Sequence, residues 1–280
     1  MSSPTEISWR YAICNELFEG WSLEKTAHFV AETGYAGLEL SPFTLCDYVT
    51  NLSAVDRRQI RQTIEGAGLQ VVGLHWLLAR TEGFQLNDPD PTVRERTAQY
   101  LLDLIDCCAD VGGEVLIFGS PQQRNVLPGW SREAAWQSAA EIMHRCGERA
   151  QAQGVLFCLE PLSTKETDFL VTVDEAAALV REVNHPGLQM MVDVKAMSQD
   201  PRPIPTQIQA VHPLFHHVHV NDPNLRGPGM GELDFQPILQ TLHELDFSRW
   251  VSVEVFDFSP GEAYTAQESL KNLRAAEPRE

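Results

Sequence analysis

The chain has 280 residues, of which 43% are hydrophobic and 21% charged, and this is the composition of an ordinary globular protein. Its length suits one large domain or two small ones. The formal net charge is −18, and a chain this acidic lacks the basic surface that non-specific binding to nucleic acid requires. The composition therefore predicts a globular protein without a nucleic-acid partner.

Three features of the chain bear on its location. No run approaches the roughly 18 apolar residues that a membrane-spanning helix needs. The N-terminal sequence MSSPTEISWR has no basic segment followed by an apolar one. The six cysteines form no CxxC pair and mostly lie in apolar segments, as small buried hydrophobic residues do. We therefore expect no membrane contact, no disulfide framework and a cytoplasmic location.

Strand-like and helix-like patterns alternate along the whole chain. Helical spacing is clearest at residues 92–111, 131–152 and 173–183. Ser131 is expected to cap the second of these helices, and Thr172 with Glu175 is expected to form a capping box at the start of the third. Short β-type runs lie between the helical segments, at 7–13, 37–40, 70–77, 114–118, 155–160, 188–194, 216–220 and 250–255.

Eight strand–helix alternations without a break in composition predict an α/β fold, a single-domain (β/α)8 TIM barrel over residues 1–280. A doubly wound open sheet is the alternative. That fold usually has a glycine-rich phosphate loop after its first strand, and the segment CNELFEGWS has no GxGxxG motif. The longest irregular stretches, 78–91, 119–130 and 221–234, follow strands, so in a barrel they lie at the end where active sites are built.

Four polar side chains lie at or near the ends of the last four predicted strands: Glu160, Asp193, His219 and Glu254. Taken singly, such a glutamate is commonly solvated or ion-paired, and such a histidine commonly lies in the core. In a parallel barrel, however, all four converge at one mouth, where three carboxylates repel one another unless a cation lies between them. Three carboxylates and one imidazole suit Mn²⁺, Mg²⁺, Co²⁺ or Zn²⁺.

The motifs around these residues resemble those of the xylose-isomerase-like TIM barrels. They read LEP…ETDFL, MVDVKAM, HVHVNDPNLRGPGMGELDF and VSVEVF, and they are most similar to the D-tagatose 3-epimerase and hydroxypyruvate isomerase branch. The resemblance implies that Glu160, Asp193, His219 and Glu254 bind one divalent metal ion, most often Mn²⁺. It also implies that the two glutamates are the catalytic acid and base, and that the protein forms a homodimer or homotetramer.

The same resemblance implies substrate contacts from Glu166 and, with a one-residue slip in the loop, from Arg226. It also shows one departure. Members of this branch usually carry a histidine three residues after the strand-six aspartate, and here that position is Ala196, preceded by Lys195. The metal ligands are unaffected by this change, but it leaves the sugar that the protein prefers open.

Other residues at strand ends are further candidates, although each could equally be part of the core. His75 ends the predicted third strand and could reach the substrate. Glu39 could support the metal ligands, and His217 could lie in the layer beneath them. Ser120 and Arg124 follow the fourth strand, where Arg124 could bind a phosphate or carboxylate. Four aromatic residues could form a wall for the sugar: Trp9, Phe43, Trp76 and Trp130.

These observations predict a divalent-metal-dependent sugar isomerase or epimerase that acts on a ketose or small hydroxy-keto compound. Proton transfer would pass through a metal-stabilised enediolate. A dehydratase of a keto-inositol or sugar acid could use the same site and is the main alternative. An apurinic-site endonuclease is disfavoured by the charge of −18 and by the lack of further histidine ligands. A non-catalytic sugar-binding protein is disfavoured by the complete set of four ligands.

Overall fold

The structure, a computed structural model, describes residues 9–278 and contains a closed barrel of eight parallel strands within them, with β1 paired to β8. The prediction of a single-domain (β/α)8 TIM barrel is confirmed. Part of the predicted first strand, residues 7 and 8, lies outside the described residues. The strands are β1 Arg10–Cys14, β2 Gly37–Leu40, β3 Gln70–Leu74, β4 Val115–Phe118, β5 Leu156–Leu159, β6 Leu188–Asp193, β7 Phe215–Val220 and β8 Trp250–Val253.

Helices cover the outside of the barrel and connect the strands. They are α1 Leu23–Thr33, α2 Ala54–Gly66, α3 Pro91–Asp110, α4 Arg132–Gln153, α5 Val173–Val183, α6 Val194–Met197, α7 Ile204–Val211, α8 Gln236–Glu244 and α9 Glu262–Ala275. Within residues 9–278, none of them is long and apolar enough to cross a bilayer. The three helices predicted most clearly, α3, α4 and α5, begin and end within one residue of their predicted positions.

The predicted helix caps are present, with one difference. The Ser131 hydroxyl accepts a hydrogen bond from the Ala134 backbone N–H at 3.1 Å, and the Thr172 hydroxyl accepts one from Glu175 N–H at the same distance. The Glu175 carboxylate does not return a bond to Thr172, as a capping box requires, but accepts one from Val171 N–H at 2.8 Å. Both caps satisfy backbone donors that the first helical turn leaves free.

The barrel interior is polar at the mouth, where the strands end, and apolar in the layer beneath the mouth. A small cluster inside the barrel is separate from the main core between strands and helices, and it includes Cys158, Met191 and Trp250. Cys158 and Met191 lie two residues before Glu160 and Asp193. Since side chains alternate along a strand, the apolar pair and the acidic pair face the same way. The apolar cluster therefore forms a floor on which the acidic residues rest.

Candidate active site

Backbone pairing positions the four side chains that the sequence singled out. Asp193 is the last residue of β6 and His219 lies in β7. Glu160 and Glu254 directly follow β5 and β8, and their backbone N–H groups bond to neighbouring strands, at Phe118 O and Val220 O respectively. The four residues are buried, with at most 7% of their surface exposed. The strands therefore fix the depth and direction of each side chain.

The four side chains meet at one point. One ligand atom from each of Glu160, Asp193, His219 and Glu254 lies within 4.8 Å of the others. His219 Nδ1 is 3.2 Å from Glu254 Oε2 and 3.9 Å from Glu160 Oε1. Among residues 9–278, neither His219 Nδ1 nor Glu254 Oε2 has a hydrogen-bond partner, which is costly for buried polar atoms. A divalent cation would satisfy both atoms, so this donor set fits a metal ion.

Hydrogen bonds orient two of these side chains. Asp193 accepts bonds from Ala196 N–H at 2.6 Å and from the Asn221 side-chain amide at 2.7 Å. His219 Nε2 lies 3.1 Å from Glu39, and the same Glu39 carboxylate lies 3.0 Å from His217 Nε2. A carboxylate on the outer nitrogen is the usual support for a metal-binding imidazole. Glu39 and His217 thus occupy the supporting positions that the sequence suggested.

Burial and neighbouring charges shift the pKa values of the two glutamates in opposite directions. Burial raises the pKa of Glu160 to about 8, and the negative charge of Glu254 adds to this effect. Burial also raises the pKa of Glu254, but positive charge on His219 and His75 outweighs it and holds that pKa well below its usual range. For His219, burial lowers the pKa, and Glu39 and Glu254 more than reverse this. In the metal-free cluster, Glu160 therefore holds a proton and Glu254 is ionised.

A second group of polar residues comes from the first three strands. His75 Nε2 lies 2.6 Å from the Ser41 hydroxyl and 2.9 Å from Glu16 Oε2, and His75 Nδ1 lies 3.7 Å from Glu254 Oε1. The structure thus brings His75 to the site, as predicted from its position. Glu16 was not predicted, although NEL follows strand β1 just as the other acidic residues follow their strands.

Two more sets of side chains lie close enough to share a metal ion. Their chemistry indicates that they orient the proposed ligands rather than bind an ion themselves. Cys14, Glu39, His75 and His219 form one set, in which burial raises the pKa of the Cys14 thiol well above its usual value. Only a thiolate binds a metal ion, and Glu39 is already engaged by two imidazoles. The other set joins Glu254 to Glu16 and His75, which already contact each other.

A small cavity of about 30 Å³ opens directly onto the two candidate catalytic glutamates, and we call it the inner cavity. Glu166 and Trp76, both predicted to contact substrate, line it. So do two residues that the sequence did not single out as candidates, Lys195 and Phe256. The Lys195 ammonium lies 2.7 Å from Glu166 Oε1 and 3.9 Å from the Phe256 ring centroid. A lysine within the apolar run MMVDVKAM is the signal that could have identified it.

Two arginines lie elsewhere than predicted. Arg226 donates to Asp257 at 2.9 Å in a partly exposed ion pair and lines neither the inner cavity nor the larger one beside it. Arg124 is fully buried and donates to the backbone carbonyls of Glu160 and Leu170, at 2.6 and 3.0 Å. The prediction that Arg124 meets a phosphate or carboxylate is wrong, because backbone carbonyls occupy its guanidinium. Burial lowers the pKa of Arg124 to about 10.

Two of the four aromatic residues proposed as a sugar wall line these cavities, namely Phe43 and Trp76. The other two do not. Trp9 packs edge-on against His243, and Trp130 packs beneath Arg94. Both tryptophans pack against residues of the outer helices. Hydrophobicity alone does not show whether an aromatic residue packs there or at the barrel mouth.

Comparison with known families agrees with this geometry. The model of one family, described as the xylose isomerase-like TIM barrel, matches residues 27–276. The chain belongs to this family. Within the xylose isomerase-like barrels, a D-psicose 3-epimerase from Ruminiclostridium cellulolyticum is 23% identical over 232 residues, which cover 81% of this chain and 76% of that protein.

Solved structures show the same fold. The crystal structure of a D-psicose 3-epimerase with D-tagatose, from Clostridium cellulolyticum H10, has a TM-score of 0.83 and 19% identity, and the match covers 95% of this chain and 99% of that one. A 3-keto-D-glucoside 4-epimerase from E. coli gives the same values. The relatives confirm the prediction that this xylose isomerase-like barrel is an enzyme of the isomerase and epimerase type.

Proposed function

We propose that this protein is a sugar epimerase or aldose–ketose isomerase that requires one divalent metal ion, with Mn²⁺ as the proposed ion. The observation that carries the proposal is the convergence of four buried ligand atoms within 4.8 Å, two of which, His219 Nδ1 and Glu254 Oε2, have no hydrogen-bond partner in the described part of the chain. We assign Glu160, Asp193, His219 and Glu254 as its ligands. When bound, the ion would supply a Lewis acid that stabilises negative charge on substrate oxygens.

The proposed reaction removes a proton from a carbon next to a carbonyl group, so that an enediolate forms, and then returns a proton. Glu160 and Glu254 are the proposed acid and base, and both must be ionised to bind the ion before one of them takes the substrate proton. The two side chains come from different strands, β5 and β8. Removal by one and return by the other inverts a carbon, whereas one carboxylate acting alone moves a proton between adjacent carbons.

The substrate of this proposal is a ketose. Names of the relatives support this choice, since one is a D-psicose 3-epimerase and another, from Arthrobacter globiformis, is a ketose 3-epimerase. We propose that Glu166, Lys195, His75 and Trp76 contact the substrate, because they lie at or beside the inner cavity. The cavity residues include one ammonium, one paired carboxylate and two aromatic rings, which suits the hydroxyl groups and C–H faces of a sugar. A homodimer or homotetramer and a cytoplasmic location stay predictions.

Exchange of substrate hydrogen with solvent tests this function directly. The protein is freed of metal by chelation, reloaded with Mn²⁺, and incubated with ketoses in D₂O, and the products are analysed by NMR. We expect deuterium at the carbon next to the carbonyl and, for the correct sugar, a new epimer or isomer. Loss of water from the product instead would identify a dehydratase. An equal rate of exchange in the chelated and reloaded protein would contradict the metal requirement.

A further inference from the structure

A second, much larger cavity adjoins the inner cavity at the barrel mouth, and we call it the outer cavity. Its volume is about 570 Å³. Small-molecule sites of about 300–1,000 Å³ usually bind drug-sized ligands, and a single monosaccharide is considerably smaller than these. The outer cavity alone therefore has room for more than the ketose on which the two glutamates are proposed to act.

The two cavities are adjacent and share a wall, because four residues line both: Trp76, Ser120, Pro121 and Phe256. For a molecule whose reacting carbon lies against Glu160 and Glu254, the outer cavity is the space directly beyond these residues. Trp76 and Phe256 pack edge to face, with ring centroids 6.1 Å apart, and they form the partition between the two spaces. The two cavities together form an elongated site, with the proposed catalytic carboxylates at one end.

The walls of the outer cavity combine aromatic faces with polar groups at their edges. Phe43 and Phe258 add two rings to the shared Trp76 and Phe256. Arg80 and Glu19 form a two-pronged ion pair at 2.6 and 2.9 Å, and Arg80 also lies over the Phe43 ring at 4.1 Å. Gln122 and Gln123 add two side-chain amides. Such a set is suited to a sugar ring, whose C–H face packs on aromatic groups while its hydroxyls bond to charged and amide groups.

Three of the seven non-glycine residues that have positive φ within residues 9–278 line this cavity. Trp76, Arg80 and Ser120 all line it, and all three have positive φ angles, of 52°, 58° and 41°. Positive φ is costly for side chains of this size, and such strain persists where the surroundings impose it, commonly at ligand sites. Ser120 also fixes the neighbouring loop, since its hydroxyl accepts a bond from Leu78 N–H at 3.2 Å.

From these observations we propose that the outer cavity binds a second sugar ring, so that the substrate is a ketose joined to another sugar by a glycosidic bond. This inference rests on the proposed function, since the ketose portion lies at Glu160 and Glu254. The second ring lies among Phe43, Arg80 and Gln122 and takes no part in bond breaking. Its role is to add binding energy that a free ketose cannot supply.

A panel of glucosyl-fructose isomers tests the inference with the Mn²⁺-loaded protein. Turanose, maltulose, leucrose and isomaltulose carry glucose on oxygens 3, 4, 5 and 6 of fructose, and free D-fructose and D-psicose serve as references. We expect kcat/KM for solvent deuterium exchange to be at least about tenfold higher for one disaccharide than for either free ketose. Exchange that is fastest with the free ketoses contradicts the second sugar but leaves the proposed function standing.

Further outcomes separate the two proposals. Absence of exchange with every compound contradicts the proposed function and this inference together. A 6-O-phenyl ketose that exceeds all four disaccharides shows that the outer cavity takes an aryl group, and this contradicts the second sugar. Isothermal titration of the metal-free protein with the best disaccharide adds a readout that does not depend on turnover. Binding no tighter than that of D-fructose contradicts the inference.

A cavity-filling variant locates the second ring. Gln122→Trp places a bulky side chain in the outer cavity, away from the glutamates, and should lower kcat/KM for the disaccharide about tenfold or more while D-fructose changes less than about twofold. The control is Gln99→Trp, on the exposed face of α3, which should alter neither. If Gln122→Trp lowers both substrates equally, the outer cavity holds the ketose itself and the inference fails.

Discussion

The two halves of the barrel mouth use the same residue types in different ways. In the half built from β1–β3, both oxygens of Glu39 lie within 3.1 Å of an imidazole nitrogen, and one oxygen of Glu16 contacts Ser41 and His75. In the half built from β5–β8, Glu254 Oε2 has no hydrogen-bond partner within residues 9–278 although it lies 3.2 Å from His219 Nδ1. Both oxygens of Glu39 are thus engaged by imidazoles, whereas Glu254 keeps one unpartnered oxygen at the point where the four candidate ligands converge.

This difference shows that position at a strand end does not by itself make a metal ligand. Both Glu39 and Glu254 are buried, Glu39 as the last residue but one of β2 and Glu254 directly after β8. What separates them is whether donors of the protein already occupy their oxygens. Glu39 therefore orients two imidazoles, and Glu254 offers a ligand atom that the described residues leave unpartnered. Mutations that remove a carboxylate of either kind test this distinction.

The largest difference is expected between Glu254→Gln and Glu16→Gln. Both variants remove one negative charge near His75 without changing side-chain size. Glu254→Gln removes a proposed ligand and base, so kcat should fall by about 10²–10⁴-fold, the usual contribution of an acid–base group. Glu16→Gln should reduce kcat/KM by no more than about tenfold, since it only weakens the orientation of His75.

Steady-state kinetics with saturating Mn²⁺, together with metal titration by calorimetry, checks the pair. Similar losses of kcat/KM in both variants would show that Glu16 and Glu254 contribute equally to turnover, which contradicts the difference between the two halves. Near-normal turnover of Glu254→Gln with metal bound would remove this residue from the mechanism.

Gly119→Ala tests how closely the second half is packed around its ligands. A Cβ at position 119 would lie 2.2 Å from Glu160 Oε2, so the carboxylate must move away. We expect Mn²⁺ affinity to fall about 10–100-fold, as when a ligand loses its support, while Tm changes by only a few degrees. The control is Gly66→Ala in α2, where the added Cβ meets no atom within 4 Å. Unchanged metal affinity in Gly119→Ala would argue against Glu160 as a ligand.

Lys195→Met tests the contact between the second half and the substrate. Its ammonium is the proposed donor to a sugar oxygen, and loss of a hydrogen bond to a charged group should lower kcat/KM about 10–100-fold. Metal affinity should be unchanged or tighter, because a positive charge near Asp193 is removed. Lys165→Met, at an exposed position in the segment between β5 and α5, is the matched control and should be silent. If both variants behave alike, Lys195 serves only to neutralise Glu166.

The smallest effect concerns the pH dependence of stability in the metal-free protein. The folded pKa of Glu160 is about 8, above its ordinary value of 4.5, so the folded state binds more protons than the unfolded state between these values. Stability should therefore fall as pH rises from about 5 to 8. The raised pKa values of His75 and His219 act in the same direction, as their contribution is lost when pH rises through the folded pKa.

Thermal unfolding at pH 5.5 and 8 measures this dependence. The drop in Tm should be smaller in Glu160→Gln, which has no carboxylate to titrate, and smaller again when Mn²⁺ is present. A Tm that rises from pH 5.5 to 8 in the metal-free protein would contradict the stated pKa shift of Glu160.

The sequence was sufficient for the fold and for the convergence of the four ligand candidates, because the period of apolar residues determines which strand ends share one mouth. It was not sufficient for the arginines. Arg124 and Arg226 lie in irregular loops, where spacing does not determine whether a guanidinium meets a ligand, a backbone carbonyl or a neighbouring carboxylate. Lys195 was named only as the neighbour of Ala196 and not as a site residue, because its contact with Glu166 joins helix α6 to a segment 29 residues earlier in the sequence.

The Glu39 carboxylate has a consequence for how this barrel could be rebuilt. It lies on β2 and bonds to His217 and His219 on β7, across the interior, at 3.0 and 3.1 Å. A chimera that exchanged the first four strand–helix units for those of another barrel would bring two buried imidazoles against a foreign residue. In such a hybrid, His219 should keep its orientation only when the donor half places a carboxylate at the position of Glu39 on its second strand. Recombination between halves of this barrel is therefore constrained by a single side chain.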